Sequence, residues 1–331
     1  MMDNELMSLE DAKQQLTKLM NRLNKTHREH LLSYAIQEWM TVKIGDDESD
    51  EGSYMANDMV DDPVTMLNSI AKDIRQKVPI EAVLPSENII QPKEGENSDC
   101  DPNITKHIDA FLYNDDELDD LVNDGKLKRN YCLDCGSKNT APLIFISHST
   151  SREELYYIFN TLLPTLDDKT VLDVGSRLGA VLYGAYVYTD AKRIIGVEMN
   201  KEFCDLQNEI VKKYKMNKRV EILNKRIEDA VDEVRSADVV ILNNVFEFYL
   251  STSEQAEIWR FLRANVKRGA RIVSRPDVAT ALSKLDTGIV IDEWLKASDE
   301  PTPSRGGNLF DLGPEEHDDT MTSDIVCYAV L

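Results

Sequence analysis

Residues 171–200, VLDVGSRLGAVLYGAYVYTDAKRIIGVEMN, carry the pattern that decides the fold. A short apolar run ends at a turn that contains Gly175 and Gly179, and an apolar helix follows. A second apolar run then ends on an acid, Glu198. A strand, a glycine turn, a helix and another strand form the unit from which parallel sheets are built. This stretch therefore predicts an α/β fold with a ligand site at the turn, beyond the strand ends.

Downstream, strands and helices continue to alternate at similar spacing. Three more strands are predicted in RVEILN (219–224), ADVVILNNVF (237–246) and ARIVSRP (270–276), with a helix before each of them. TGIVIDEWLK (287–296) and DIVCYAVL (324–331) predict two further strands with no helix between them, a connection that permits an antiparallel pair. The chain is thus predicted to be α/β, with a doubly wound seven-strand sheet.

The chain before this sheet is predicted to form smaller, mainly helical regions. Apolar residues in 5–42 recur at helical spacing, whereas 45–62 is acidic and nearly free of large aliphatic residues. Further helices are predicted at 63–77, 104–126 and 151–163. The predicted boundaries are 1–44 for an N-terminal helical segment, 45–62 for a flexible acidic insertion, 63–147 for a helical and loop accessory region with a CxxC, and 148–331 for the α/β domain, with a flexible acidic insertion at 297–323.

The charge of the chain is acidic and unevenly spread. The net charge is −22; residues 165–285 carry 20 Lys and Arg against 18 Asp and Glu, and the rest carries 18 against 42. A nucleic-acid binder usually shows a basic stripe, so this distribution favours a basic protein partner, or merely a solvated surface, over nucleic acid. Five cysteines suit a reducing compartment, and no apolar run approaches the roughly 18 residues that span a membrane. A cytoplasmic or nuclear protein with no membrane partner is expected.

The turn and the acid after it narrow the choice of ligand. An acid that ends the second strand can accept hydrogen bonds from a ribose diol, which a nicotinamide cofactor and S-adenosylmethionine both carry. A pyrophosphate needs the pattern G-x-G-x-x-G, but the three positions here hold Gly175, Arg177 and Ala180. The methyl donor has no phosphate and needs mainly an acid, a first turn glycine and a second glycine four residues on, which Asp173, Gly175 and Gly179 supply. The pattern favours S-adenosylmethionine over a nicotinamide cofactor.

At this point the chain resembles the class I, seven-strand S-adenosylmethionine-dependent methyltransferases across roughly residues 148–331. The resemblance rests on LDVGSRLG, GVEMN, VVILNNVF and GARIVSRP. Within that superfamily, DVGSRLG, GVE, NN and RIVSRP are most similar to the disruptor-of-telomeric-silencing histone-lysine methyltransferases. The resemblance implies a Rossmann-like sheet, S-adenosyl-L-methionine as cofactor and a protein amine of the lysine type as acceptor.

The resemblance also implies the residues of the donor site. Arg177 replaces a glycine usual in the turn, so its side chain must point away from the ligand. Arg226 stands where the family has an acid near the adenine amine. Thr150 precedes the 151–163 helix, whose first amides could meet the donor carboxylate, or it simply belongs to a helix cap. The donor-site residues expected on these grounds are Asp173, Gly175, Ser176, Gly179, Glu198, Arg226, Ile227, Asn243 and Thr150.

The acceptor site is predicted at the end of the fourth strand. Methyl transfer needs an uncharged nucleophile aimed at the methyl group, and Asn243 with Phe246 follows the asparagine-x-x-aromatic spacing of amine methyltransferases. The amide oxygen of Asn243 can accept a hydrogen bond from the amine, and an aromatic face attracts developing positive charge. Alternatively, Asn244 caps a turn and Phe246 belongs to the core. Asn243 and Phe246 are the predicted catalytic residues.

Cys132-x-x-Cys135 resembles one knuckle of a zinc ribbon. A closed site needs four ligands, no second CxxC exists, and Cys100, His107 and His148 are the nearest candidates. No metal is therefore expected. The leading reading is a methyltransferase acting on a protein amine. The alternatives are an RNA or small-molecule methyltransferase, a non-catalytic scaffold of the same fold and, third, a dehydrogenase.

Overall fold

The computed structural model describes residues 18–20, 22, 62–90, 103–134, 139–298 and 324–331. The chain divides into two compact units, residues 1–57 and 58–331, and every element below belongs to the second. Most of the predicted 5–42 helices and of the acidic insertions lies outside the described residues, as do Cys100 and Cys135. No helix in the described part of the chain has the length and apolar character needed to cross a bilayer.

In the described part of the chain, strands and helices alternate from β5 (Thr170–Val174) to β9 (Arg271–Arg275). The strands are β1 (Thr105–His107), β2 (Asn130–Cys132), β3 (Thr140–Pro142), β4 (Ile144–Ile146), β5 (Thr170–Val174), β6 (Arg193–Glu198), β7 (Val220–Asn224), β8 (Val239–Asn243), β9 (Arg271–Arg275), β10 (Leu295–Ala297) and β11 (Val326–Val330). The helices are α1 (Pro63–Arg75), α2 (Asp115–Asn123), α3 (Arg152–Tyr157), α4 (Ala180–Tyr188), α5 (Lys201–Lys213), α6 (Val231–Ser236), α7 (Thr252–Asn265) and α8 (Val278–Leu282).

The last seven strands form the predicted sheet, in the order β10-β11-β9-β8-β5-β6-β7. The strands from β5 to β9 pair in parallel, and β11 runs antiparallel to both β9 and β10. This is the sheet with a closing antiparallel pair that the sequence predicts. Strand order reverses between β5 and β8, so the first helices of the two halves diverge and leave a crevice at the carboxyl edge.

Apolar side chains cover both faces of this sheet. Along β5, Val171 belongs to one core cluster, whereas Leu172 and Val174 belong to the other. Alternate side chains of a strand point to opposite faces, so the two clusters are the two sides of one sheet. A parallel sheet covered on both faces is the arrangement that βαβ connections produce.

Helix α1 joins the accessory region to this core. The Asp62 side chain accepts a hydrogen bond from the amide of Thr65 at 2.8 Å, and Pro63 begins the helix, as its sequence predicts. Leu67, Ile70 and Ile74 are fully buried in the same core cluster as Val171. The helix packs against α4 and α5. The accessory region therefore shares its core with the sheet.

Several predicted elements have different bounds. The predicted helix at 104–126 begins instead with β1, which pairs in parallel with β4, and only α2 is helical; long-range pairing outweighs local helix spacing there. The strand predicted over 287–296 is confined to β10, because Gly288 has a φ of +65° and Ile291–Glu293 forms a 3-10 turn, and both interrupt an extended chain. The helix predicted over 151–163 continues beyond α3 as a π-helical turn, Ile158–Leu162.

Candidate functional site

A cavity of about 740 Å³ lies at the carboxyl edge of the sheet. Its walls come from the residues that end or follow β5, β6, β7 and β8, together with residues 86–88 and His148. This is the crevice expected where the strand order reverses. Of the residues predicted from the sequence, those that line the cavity are Gly175, Glu198, Arg226, Ile227, Asn243 and Phe246. Those outside its lining are Asp173, Ser176, Gly179 and Thr150.

The turn after β5 brings backbone close to the cavity. Gly175 has a φ of +70°, and a Cβ on it would lie 2.9 Å from Cγ1 of Val245, which also lines the cavity. Gly179 begins α4 with a φ of +86°, and a Cβ there would collide with the ring of Tyr183. The lack of a side chain at Gly175 therefore lets Val245 pack against the turn, and its lack at Gly179 lets the Tyr183 ring pack at the start of helix α4.

The Glu198 carboxylate lies at the end of β6 on the cavity wall. One oxygen, Oε2, accepts a hydrogen bond from the amide of Arg177 at 3.0 Å, and Oε1 accepts one from the amide of Asn200 at 2.7 Å. Burial raises the pKa of Glu198, although these two amides act to lower it. Each carboxylate oxygen can accept more than one hydrogen bond, so a ribose diol could bind the same group.

Two polar side chains of the turn lie behind the cavity wall. Ser176 donates from Oγ to Oε1 of Gln207 at 2.8 Å, which ties the turn to α5. Asp173 is buried on β5, and burial together with the nearby charge of Glu198 raises its pKa well above the ordinary value.

The end of the cavity beyond β7 has partly apolar walls. Ile227 is buried and Met199 is largely exposed, and the two side chains present apolar surface on the cavity wall. Ile227 begins a short 3-10 turn, where amides have no partner within the helix. Arg226 forms an ion pair with Glu228 at 3.0 Å, in the place where an acid was expected.

The Arg177 side chain explains why the turn can hold an arginine. Its backbone has a φ of +44°, in the left-handed region, and its guanidinium is buried. Nε contacts Oε1 of Glu87 at 2.9 Å, and Nη1 contacts Oδ2 of Asp109 at 3.0 Å. The side chain is held by these two carboxylates from the accessory region.

The predicted acceptor residues divide into two environments. Asn243 is half-buried at the end of β8, and no hydrogen bond of its side chain is found among the described residues. Asn244 has a φ of +48° and its amide donates to the carbonyl of Arg275 at 2.7 Å, as in a turn. Phe246 is 4% exposed and packs edge-on against Trp259, with ring centroids 5.9 Å apart. Phe246 is therefore mainly a core residue that also borders the cavity.

The residues just before α3 include a helix cap and a histidine that belongs to a stacked pair. Ser151 and Glu154 form the capping box that satisfies the first amides of α3, and Thr150 is buried beside it. The neighbouring His148 lines the cavity and stacks on His107, whose Nδ1 lies 2.9 Å from Nε2 of His148. Burial, followed by the charge of Arg177, lowers the pKa of His148 to about 3, so this histidine is neutral.

Sequence reasoning missed three polar groups at this site. Glu87, Asp109 and Tyr249 surround the Arg177 side chain, and Glu87 and Tyr249 line the cavity. Glu87 and Asp109 lie about 70 to 90 residues before Arg177 in the chain. The available signal was the unexplained arginine in the glycine turn, which needed an acidic partner once buried.

Of the two CxxC cysteines, only Cys132 lies in the described part of the chain. Cys132 is exposed on β2 and its thiol contacts the carbonyl of Asp134. Among the described residues, which exclude Cys100 and Cys135, no group of three or more metal-ligating side chains is found.

Comparisons with known proteins yield distant similarities. No protein-family model and no curated protein matches the chain. An RNA methyltransferase from Salinibacter ruber, solved with S-adenosyl-L-homocysteine, is 16% identical, with 54% of this chain and 90% of that one covered and a TM-score of 0.34. An O-methyltransferase from Bacillus cereus, also solved with that compound, is 11% identical, with 56% and 84% covered and a TM-score of 0.36.

A third solved structure has a similarly low sequence identity and TM-score. The precorrin-6y C5,15-methyltransferase from Geobacter metallireducens is 18% identical, with 46% of this chain and 75% of that one covered and a TM-score of 0.35. None of these three is described as a histone-lysine methyltransferase. The fold assignment rests on the strand order itself: a doubly wound, seven-strand α/β sheet with a closing antiparallel pair.

Proposed function

We propose that this protein is an S-adenosylmethionine-dependent methyltransferase. The proposal rests on one observation. Gly175, Glu198 and Ile227 end or follow the three adjacent parallel strands β5, β6 and β7 and line one cavity beside the point where strand order reverses. The turn at Gly175 suits the methionine part of this donor. The Glu198 carboxylate suits its ribose, and the apolar surface at Ile227 suits its adenine.

The residues present fit the donor on two structural grounds. A Cβ at Gly175 would overlap Cγ1 of Val245 on the cavity wall, so a side chain there would displace a residue that lines the cavity. Glu198 retains acceptor capacity towards the cavity while its amide partners fix its orientation. When bound, the donor supplies an electrophilic methyl group on a sulfonium. The chain itself would bind the ribose through Glu198 and aim the acceptor through Asn243.

We infer that the acceptor is an amine, most simply a lysine-type amine of a protein. The support is the Asn243 side chain, which borders the cavity without a hydrogen bond to the described residues and can accept one from an amine. The ring of Tyr249 lines the same cavity, where an aromatic face favours a cationic product. The net charge of −22 favours a basic protein as the partner, which would meet it in the cytoplasm or nucleus.

A non-catalytic scaffold of the same fold is the second candidate. Arg226 stands where a donor-binding acid was expected, and Phe246 is packed into the core instead of facing an acceptor. Both observations favour a protein that binds the donor or a partner without transferring the methyl group.

One experiment separates these functions. The wild-type chain is incubated with methyl-labelled donor and fractionated cell extract, and label is followed in protein, RNA and small molecules. The proposal predicts label in protein that hydrolysis releases as methylated lysine. Label confined to RNA or small molecules contradicts a protein lysine as the acceptor, and donor binding with no transfer to any fraction supports the scaffold.

A further inference from the structure

The chain segment 84–90 closes one side of the cavity. Ser86, Glu87 and Asn88 line it, although they lie well before the sheet in sequence. The amide of Ile90 donates to the carbonyl of Phe248 at 2.6 Å, which anchors the end of the segment beside the loop after β8. The accessory region therefore supplies one wall of the proposed donor site.

Arg177 is the main anchor of this wall. Besides its Nε contact with Oε1 of Glu87, its Nη2 lies 3.2 Å from Oε2 of the same residue and also donates to the carbonyl of Ala82. The contact with Glu87 is thus two-pronged, and Nη1 contacts Asp109. The side chains of Arg177, Glu87 and Asp109 are 9%, 3% and 1% exposed, so these charges are shielded from solvent.

A buried ion pair of this kind adds little net stability but fixes one arrangement of its partners. Removing water from the charges costs nearly as much as their attraction returns, whereas any displaced arrangement leaves a buried charge unpaired. Arg177 also donates its backbone amide to Glu198, the carboxylate assigned to the ribose. One residue therefore holds both Glu198 and Glu87, on two walls of the same cavity.

Ser86 provides a second, exposed contact. Its Oγ donates to Oε2 of Glu202 at 2.6 Å and accepts from Nδ2 of Asn200 at 2.9 Å. Asn200 and Glu202 immediately follow the strand that carries Glu198. Segment 84–90 is therefore attached at two points to the residues around Glu198: through Glu87, whose side chain is buried, and through Ser86, which is exposed.

We propose that the Arg177–Glu87 pair is a positioning device that holds segment 84–90 as the outer wall of the donor cleft. Donor affinity then depends on an ion pair between the turn and the accessory region. The inference rests on the proposed function, because it concerns the same donor site. It predicts that donor binding and order in segment 84–90 are coupled, each stabilising the other.

The first test uses only the wild-type protein. Hydrogen exchange of segment 84–90 is measured with and without S-adenosylhomocysteine, the demethylated donor. At a ligand concentration of 100 times Kd, amides that exchange by opening this wall should slow by at least about tenfold, towards the limit of about 100-fold set by mass action. If the compound binds and exchange in 84–90 is unchanged, the inference is wrong.

The second test compares matched variants. Glu87→Gln keeps the shape of the side chain and removes its charge, and Kd for S-adenosylhomocysteine should rise at least about tenfold. Lys77→Met is the control: it removes the 2.7 Å ion pair with Glu209, which also joins the accessory region to α5 but lies outside the cavity. Lys77→Met should leave Kd within about twofold, because exposed pairs contribute little.

The outcomes distinguish the inference from the proposed function. Glu87→Gln binding as tightly as the wild type overturns the positioning role while leaving the methyltransferase proposal intact. A wild type that does not bind S-adenosylhomocysteine overturns both. If Glu87→Gln does not fold, the exchange experiment and a second variant, Ser86→Ala, test the inference instead. Ser86→Ala removes the exposed contacts and should raise Kd about threefold. An unchanged Kd in Ser86→Ala together with unchanged exchange in the wild type contradicts the inference.

Discussion

The two sides of the cavity are built in different ways. The side proposed to bind the donor, called the donor side below, contains Gly175, Glu198 and Ile227. Glu198 ends β6, and the other two follow β5 and β7 by at most three residues. On the opposite side, Glu87 and His148 come from segments that precede the sheet. Strand ends of a doubly wound sheet converge for topological reasons, whereas the covering side depends on individual long-range contacts such as Arg177 with Glu87. The donor side is therefore a property of the fold, and the covering side is particular to this chain.

The largest expected effect concerns a residue that borders both the cavity and the core. Phe246→Ala should lower the free energy of unfolding by about 3–5 kcal/mol, because the ring is buried against Trp259. Chemical denaturation measures this loss. Phe261→Ala, at a partly buried position on α7, is the control and should cost less. Lost methyl transfer at unchanged stability would place Phe246 with the acceptor site instead.

The Gly175 turn tests whether the donor side is shaped as described. Gly175→Ala places a Cβ 2.9 Å from Val245, and the resulting overlap should weaken binding of S-adenosylhomocysteine by about 1–3 kcal/mol, about 5–150-fold in Kd. Gly269→Ala is the matched control, since Gly269 also has a positive φ, of +79°, but no atom lies within 4 Å of its Cβ. Calorimetry should show an unchanged Kd for Gly269→Ala. Equal losses in both variants would mean that backbone strain alone explains the effect.

His148 tests the burial of the covering side through pH. Its folded pKa of about 3 lies below the ordinary value of 6.5, so the unfolded chain binds more protons between these two values. The contribution of His148 to stability is therefore lost as pH falls from 6.5 towards 3, by about 2 kcal/mol at pH 5. Denaturant unfolding of wild type and His148→Gln at pH 7.5 and pH 5 measures this: the wild-type advantage should shrink by that amount.

The neighbouring ring provides a comparison for this pH effect. His107 is only half-buried, and burial followed by Arg177 lowers its pKa as well, so His107→Gln should give a smaller change of the same sign. A wild-type advantage over His148→Gln that is equal at both pH values would show that this wall admits water.

Substitution of Asn243 should have the smallest effect in free energy, and that effect should be confined to the methyl-transfer step. A side chain that only aims the amine acts on the transition state, so Asn243→Ala should lower kcat at least about tenfold, or about 1.4 kcal/mol, while donor Kd stays within about twofold. Asn244→Gly is the control, because glycine tolerates the φ of +48° at that position. If Asn244→Gly abolishes transfer and Asn243→Ala does not, the acceptor site is misplaced by one residue.

These differences explain what the sequence could predict. Strand periodicity and the turn glycines predicted the seven-strand sheet and the convergence of Gly175, Glu198 and Asn243, because neighbouring strand ends meet in space. The sequence could not predict that Asp109 and Glu87 flank Arg177, because side chains that pair across so many residues leave no local pattern. The same reason applies to β1, whose partner β4 lies about 40 residues away and whose own spacing suggested a helix.

Calorimetric titration of the wild-type chain and Glu198→Ala with S-adenosylhomocysteine, and of the wild type with NAD, tests the donor assignment most directly. S-adenosylhomocysteine should bind the wild type, NAD should not, and Glu198→Ala should weaken binding by about 1.5–3 kcal/mol, the value of hydrogen bonds to a charged acceptor. Binding of NAD without S-adenosylhomocysteine, or an unchanged affinity in Glu198→Ala, would contradict the assignment of this cavity to a methyl donor.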